Sequence, residues 1–166
     1  MAELIPPNSR VLEFGSGRQV LKTYLDPSCA YYASDLVGNP STTLICDLNQ
    51  RPLPNFDGSR YDVAVFSGVL EYVRHLPEVV GWLSNHFGAC VASYACCRSG
   101  SNSARRVIES FSRARYGWVN TYSEEELISL FDSGRFSCLE TIEWQHQRIF
   151  HFVRDGAAQS PPLPAA

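Results

Sequence analysis

Arg10-Val-Leu-Glu-Phe-Gly-Ser-Gly17 decides how this chain is read. A short apolar run, Arg10 to Phe14, enters a pair of glycines, and Val20, Leu21, Tyr24 and Leu25 then recur at helical spacing. A strand that turns on glycines into a helix opens a parallel α/β sheet. The alternation continues along the chain. Ala30 to Ser34 reads as a strand ending at Asp35, and Thr42 to Cys46 as a third ending at Asp47. Pro52, Pro54 and Gly58 punctuate a loop. Tyr61 to Phe66 is a fourth strand, apolar enough to be buried on both faces. Val69 to Phe87 reads as mostly helical, with a fresh start at Pro77 and a stop at Gly88. Ala89 to Tyr94 is a fifth strand, and 103–115 a helix. Ser123-Glu-Glu-Glu126 opens a further helix with an N-cap and an acidic first turn, ending near Gly134. Phe136 to Glu143 and Ile149 to Val153 read as antiparallel closing strands. The expected architecture is a mostly parallel sheet covered on both faces, with ligands at the carboxyl ends of its strands.

The 166 residues suit one domain, taken here as 1–154. Residues 155–166 are small and Pro-rich, and are expected to be a disordered tail. Hydrophobic residues make up 45% and charged residues 19%, which excludes global disorder. The net charge of −3 argues against bulk nucleic-acid binding, so a nucleic-acid partner is not expected. No apolar run is long enough to span a membrane, and the N-terminus lacks the pattern of a signal peptide. Six irregularly spaced cysteines without a CxxC pair read as reduced thiols of a cytoplasmic protein, with no metal site expected.

The candidate chemistry lies at the strand ends. Gly15 and Gly17 let the backbone turn tightly and a ligand approach, although a Gly-x-Gly is also an ordinary tight turn. A dinucleotide fingerprint wants glycine at position 20, which is Val20. Instead Glu13 stands at the strand end, where a carboxylate suits an ammonium or hydroxyl better than a pyrophosphate. Asp35 follows at the distance where nucleotide-binding sheets place the acid for the ribose hydroxyls, and Asp47 ends the third strand. Each acid alone also reads as a turn residue.

Acids at three successive strand ends after a glycine turn resemble the class I S-adenosylmethionine-dependent methyltransferases. Val11 to Gly17 is similar to the family's first motif, Ala33-Ser-Asp35 to its ribose acid, and Ile45-Cys-Asp-Leu48 to its adenine-side motif. Tyr61 to Val73 is similar to its fourth-strand motif and following turn, and Tyr116 to Leu127 to its end region. The resemblance covers 8–154 and implies a Rossmann-like, doubly wound, mostly parallel seven-stranded sheet with an antiparallel closing strand. It implies S-adenosyl-L-methionine as cofactor. Glu13, Gly15, Ser16 and Gly17 would hold the methionine end, Asp35 and Leu36 the ribose, and Asp47 and Leu48 the adenine. Ser67, Gly68 and Val69 would line the reactive sulfonium. The chain departs from the family at Gln19, where a third glycine is common, and at Tyr72, where many members have histidine. Only nine residues precede the first strand, which implies a more open pocket or one closed by a partner chain.

The resemblance implies in-line methyl transfer to a small-molecule acceptor, with a catalytically silent binding module as the alternative. Glu71 and His75 are the base candidates, each also readable as an ordinary helix residue. His86 and His151 read as structural, and His146 as part of a hairpin turn. Tyr122 lies where the family meets its acceptor. Arg98, Arg105, Arg106, Arg113 and Arg115 fit either an anionic acceptor or a solvated helix face. A homo-oligomer is compatible with all of this. Removing residues 156–166 is expected to leave the melting temperature nearly unchanged, and a thermal melt of the truncated chain checks it.

Overall fold

β1 (Arg10–Phe14) lies inside a seven-stranded sheet in the computed structural model, which describes residues 1–156 apart from 39, 41, 43, 57–59, 98–109 and 112. The other strands are β2 (Ala30–Asp35), β3 (Leu44–Ile45), β4 (Val63–Ser67), β5 (Ala89–Tyr94), β6 (Phe136–Trp144) and β7 (Gln147–Arg154). Their order is β3-β2-β1-β4-β5-β7-β6. β1 pairs parallel with both β2 and β4, placing Glu13 beside Ala33 and Val65. β4 pairs parallel with β5, and β7 runs antiparallel between β5 and β6. This is the expected sheet with one antiparallel closing strand. The chain reverses between β1 and β4, so the carboxyl ends of β1, β2 and β4 flank the switch point where such sheets bind ligands.

One sheet face carries the main core. α1 (Leu76–His86) buries Leu76, Val79, Val80 and Leu83, one helical stripe, and α2 (Glu124–Ser133) buries Leu127 and Phe131. Both stripes join Leu12, Phe14, Ala64, Phe66, Ala92 and Phe150 of the sheet. Each such fully buried large side chain contributes roughly 1.5–3 kcal/mol. An aromatic cluster sits here: Phe14 stacks on Phe66 at 4.9 Å, and Trp82 and Phe87 meet Phe14 edge-on at 76° and 72°. The half-buried Trp82 indole donates to the Pro54 carbonyl at 2.8 Å, which satisfies its N–H.

The opposite face is covered differently. Val11, Val63, Val65, Val91 and Ile149 are buried there against Ile5, with Met1, Leu4, Leu21 and Leu25 packed around them. The helix expected over Gln19 to Leu25 is a single 3₁₀ turn, Leu21–Thr23. The stretch is too short to repay helix nucleation, and Pro27 disfavours helix at the residue before it. Leu21 and Leu25 still reach the sheet, so the apolar spacing is used without the helix.

Other boundaries shift as well. β4 begins at Val63, and Asp62 before it is tied to β1 twice: its backbone N–H donates to the Arg10 carbonyl at 2.8 Å, and its carboxylate accepts from the Arg10 backbone N–H at 2.7 Å, Nε at 2.9 Å and Nη2 at 2.6 Å. The mostly helical segment from Val69 consists of a 3₁₀ turn, Leu70–Tyr72, and α1, which makes the expected fresh start with Pro77 in its first turn. The Asn49 side chain binds the Tyr72 carbonyl at 2.9 Å and the Arg74 N–H at 2.7 Å. β3 is confined to Leu44–Ile45, whereas β6 and β7 run longer than expected and meet at Gln145-His146. Of the helix expected over 103–115, residues 110, 111, 113 and 114 are helical, and 103–109 and 112 lie outside the described residues, as does the tail from 157.

Ser123 caps α2 as the sequence suggests. Its Oγ accepts from the Glu126 N–H at 3.2 Å, and the Glu126 carboxylate accepts from the Ser123 N–H at 2.9 Å. Ser123→Ala is therefore expected to cost about 1 kcal/mol. That corresponds to a fall in melting temperature of about 2–4 °C, read by calorimetry.

Candidate functional site

The turn after β1 is built from left-handed backbone. Gly15 and Gly17 have φ of 65° and 47°, and Gln19 follows at 56°. The position where related turns use a third glycine thus keeps the glycine conformation with a side chain present. A non-glycine residue there carries a backbone cost on the order of 1 kcal/mol. Ser16 donates its N–H to the Ser34 carbonyl at 3.0 Å, which docks the turn on the end of β2. A Cβ on Gly15 would lie 2.6 Å from Val69 Cγ2, whereas one on Gly17 would meet nothing within 4 Å. The first glycine is required by a neighbour; the second leaves open space above the turn.

Asp35 closes the turn from β2. Its Oδ2 accepts from the Gly17 N–H and its Oδ1 from the Leu36 N–H, both at 2.8 Å. Each oxygen keeps a second lone pair for a further donor. Leu36 beside it is 63% exposed. After β4, Gly68 has φ of 66° and donates its N–H to Ser93 Oγ at 2.9 Å, with Ser67 exposed before it.

Glu13 is 4% exposed, on the sheet face that also carries Tyr31 and Asp35. The Tyr31 hydroxyl donates to Glu13 Oε2 at 2.5 Å. Among the described residues Glu13 Oε1 takes no hydrogen bond. Burial holds this carboxyl above the usual carboxylate range; the Tyr31 hydrogen bond opposes that and the charge of Asp35 adds to it.

Asp47 makes a local turn, its Oδ1 accepting from the Asn49 N–H at 2.8 Å, while Leu48 is 5% exposed in the main core. The side chain of Leu48 is therefore packing. Asn49, which sequence reasoning passed over, joins this loop to the turn after β4.

The two base candidates part company. His75 is exposed at the N-cap of α1. Glu71 is 1% exposed, and its Oε1 accepts from the Ala95 N–H at 2.9 Å. Burial raises its carboxyl above the usual range, opposed by that N–H and by Arg113. Its backbone carbonyl accepts from the Val119 N–H at 2.8 Å. Around it lies a network that the sequence did not reveal. The Tyr94 hydroxyl donates to Asn120 Oδ1 at 2.5 Å and accepts from the Tyr122 N–H at 3.0 Å. Asn120 Nδ2 donates to the Leu70 and Val73 carbonyls at 2.8 and 2.9 Å. Arg113 is 6% exposed, with its guanidinium 4.7 Å from the Trp118 ring centre and 5.6 Å from that of Tyr94. It is thus no part of a solvated basic face; Arg115 is exposed, and Arg98, Arg105 and Arg106 lie outside the described residues.

No group of residues among those described could hold a metal ion. No helix among them is long and apolar enough to cross a membrane.

The strand order, parallel with one antiparallel closing strand, is that of the Rossmann-like class I S-adenosylmethionine-dependent methyltransferases. A methyltransferase-domain family pattern matches residues 1–140, and the chain belongs to that family. The fold is similar to that of 1,6-didemethyltoxoflavin-N1-methyltransferase from Burkholderia thailandensis, solved with bound 1,6-didemethyltoxoflavin and S-adenosylhomocysteine (TM-score 0.68, 17% identity, 92% of this chain and 73% of that one). A putative methyltransferase from Bacillus halodurans is also similar (TM-score 0.70, 14% identity, 85% and 70% covered). So is an O-methyltransferase family 2 protein from Planctomyces limnophilus in complex with apigenin (TM-score 0.69, 14% identity), of whose length this chain spans 55%. No curated protein matches the sequence.

The turn geometry separates two substitutions. Gly15→Ala is expected to destabilise by about 1–3 kcal/mol, through the positive φ and the contact with Val69. Gln19→Gly, which relieves a positive φ, is expected to destabilise less than Gly15→Ala. Urea denaturation of both variants measures the difference.

Proposed function

We propose that this domain binds S-adenosyl-L-methionine and catalyses in-line methyl transfer to a small-molecule acceptor. The observation that carries the reading is the row of acids, Glu13, Asp35 and Asp47, at the ends of three neighbouring strands beside the Gly15–Gly17 turn. The residues present fit the cofactor. Glu13 keeps one carboxylate oxygen for a cationic ammonium, and Asp35 keeps lone pairs for the ribose hydroxyls. Gly17 leaves the turn open, and Leu36 offers an exposed apolar edge. Asp47 and the backbone of Leu48 would hold the adenine, and Ser16 would complete the turn around the methionine end. Ser67, Gly68 and Val69 would line the sulfur. When bound, the cofactor supplies a methyl group already activated by positive sulfur.

The protein's own contribution is positioning and exclusion of water. Glu71 serves as a positioning group: it holds the end of β5 through Ala95 and the 113–122 segment through Val119. His75, exposed at the head of α1, is the candidate base where the acceptor must lose a proton. The small-molecule ligands of the Burkholderia and Planctomyces proteins support an acceptor of that size.

Calorimetric titration with S-adenosylhomocysteine, with NAD as control, tests the cofactor reading. Micromolar binding of the first alone is expected, and binding of NAD alone overturns it. Asp35→Ala is expected to weaken S-adenosylhomocysteine by about 1–3 kcal/mol through lost charge-assisted hydrogen bonds. Unchanged affinity would remove Asp35 from the ribose site. Tight binding without turnover across an acceptor screen would favour a silent binding module.

A further inference from the structure

We infer that Tyr31 is a positioning residue for the cofactor's amino-acid end, holding the Glu13 carboxylate so that its second oxygen is left for the ligand's ammonium. The inference rests on the cofactor reading above and adds a residue outside the segments that carry the resemblance.

The geometry follows from the register. β1 and β2 run parallel, with Val11 opposite Tyr31 and Glu13 opposite Ala33. Tyr31 therefore starts one pair earlier than Glu13 on the same sheet face, and its long side chain spans that step to reach Glu13 Oε2 at 2.5 Å. A phenol has one proton to give, and here it goes to one carboxylate oxygen. Oε1 receives nothing from the described residues. Oε1 is not among the sealed, unpartnered polar atoms, so it stays reachable by a ligand's donor.

The surroundings select a cation. Asp35 acts on Glu13 as a second negative charge. The side chain of Lys22, the chain's single lysine, lies over the Tyr31 ring, with Nζ 6.0 Å from its centre. Buried Ser16 stands beside the Tyr31 hydroxyl. Burial and the neighbouring carboxylate push the Tyr31 phenol well above its ordinary range, so it stays a proton donor at neutral pH. A neutral donor that fixes one oxygen, within a pair of acids, leaves a site for a primary ammonium rather than a phosphate or carboxylate.

The test compares two ligands that differ in the amino-acid end. S-adenosylhomocysteine carries the ammonium; 5′-methylthioadenosine has the same adenosine and thioether without it. In Tyr31→Phe, S-adenosylhomocysteine is expected to weaken roughly tenfold while 5′-methylthioadenosine changes less than about twofold. Glu13→Gln should show the same selectivity, and the double variant should lose no more than Glu13→Gln alone. A thermal melt of each variant accompanies the titrations. Unchanged S-adenosylhomocysteine affinity in Tyr31→Phe, equal weakening of both ligands, or additive losses in the double variant would overturn the inference while leaving the cofactor reading in place. Failure of the unsubstituted protein to bind either ligand would overturn both.

Discussion

A methyl group of Val69 occupies the space that a side chain on residue 15 would need. That contact joins the turn after β1 to the turn after β4, the two neighbouring strands at the centre of the sheet. Everything proposed for the cofactor depends on it. Gly15 must be glycine twice over, for its φ and for the approach of Val69. With the two turns in register, Asp35 can cap the first turn through Gly17. Gly68 can then reach Ser93 on the next strand. The row of strand ends becomes one surface rather than separate loops.

A second set of polar contacts holds the far side of that surface. Tyr94, Asn120 and Glu71 tie the end of β5, the 70–73 turn and the 113–122 segment together, and Arg113 fills the space between Trp118 and Tyr94. The hydrogen bonds of this set order the three segments, although Glu71 Oε2 and Arg113 Nε are buried without a partner among the described residues. The rim beyond it is apolar and open: Tyr72, Tyr116 and Val119 are all exposed.

Strand positions were legible because they are written in apolar runs and in the residues that end them. The Ser123 cap acts locally, within a few residues of where it stands, and local chemistry can be read from a sequence. What was missed came from side chains that act at a distance. Asp62 gives its carboxylate to Arg10, fifty-two positions away. Asn49 binds the turn before α1, twenty-five positions on. The 19–25 segment has a helical apolar spacing, but Leu21 and Leu25 use it from a single 3₁₀ turn. Among the candidate site residues, position along the strand ends was legible for Glu13, Asp35 and Asp47. What was not legible was orientation: Glu71 and Leu48 turn into the core, and Arg113 leaves the basic cluster to be buried. The Tyr31–Glu13 bond was equally hidden, since it exists only once two strands are in register.

The aromatic cluster beside β1 has an optical consequence. Phe14, Phe66, Trp82 and Phe87 are held at fixed mutual angles, and the Trp82 indole is pinned by Pro54. Rings locked in an asymmetric setting give near-ultraviolet circular dichroism, which vanishes when packing loosens even if helices and strands persist. Phe14 belongs to the strand that feeds the glycine turn. The protein therefore carries its own spectroscopic gauge of whether the floor beneath that turn is packed.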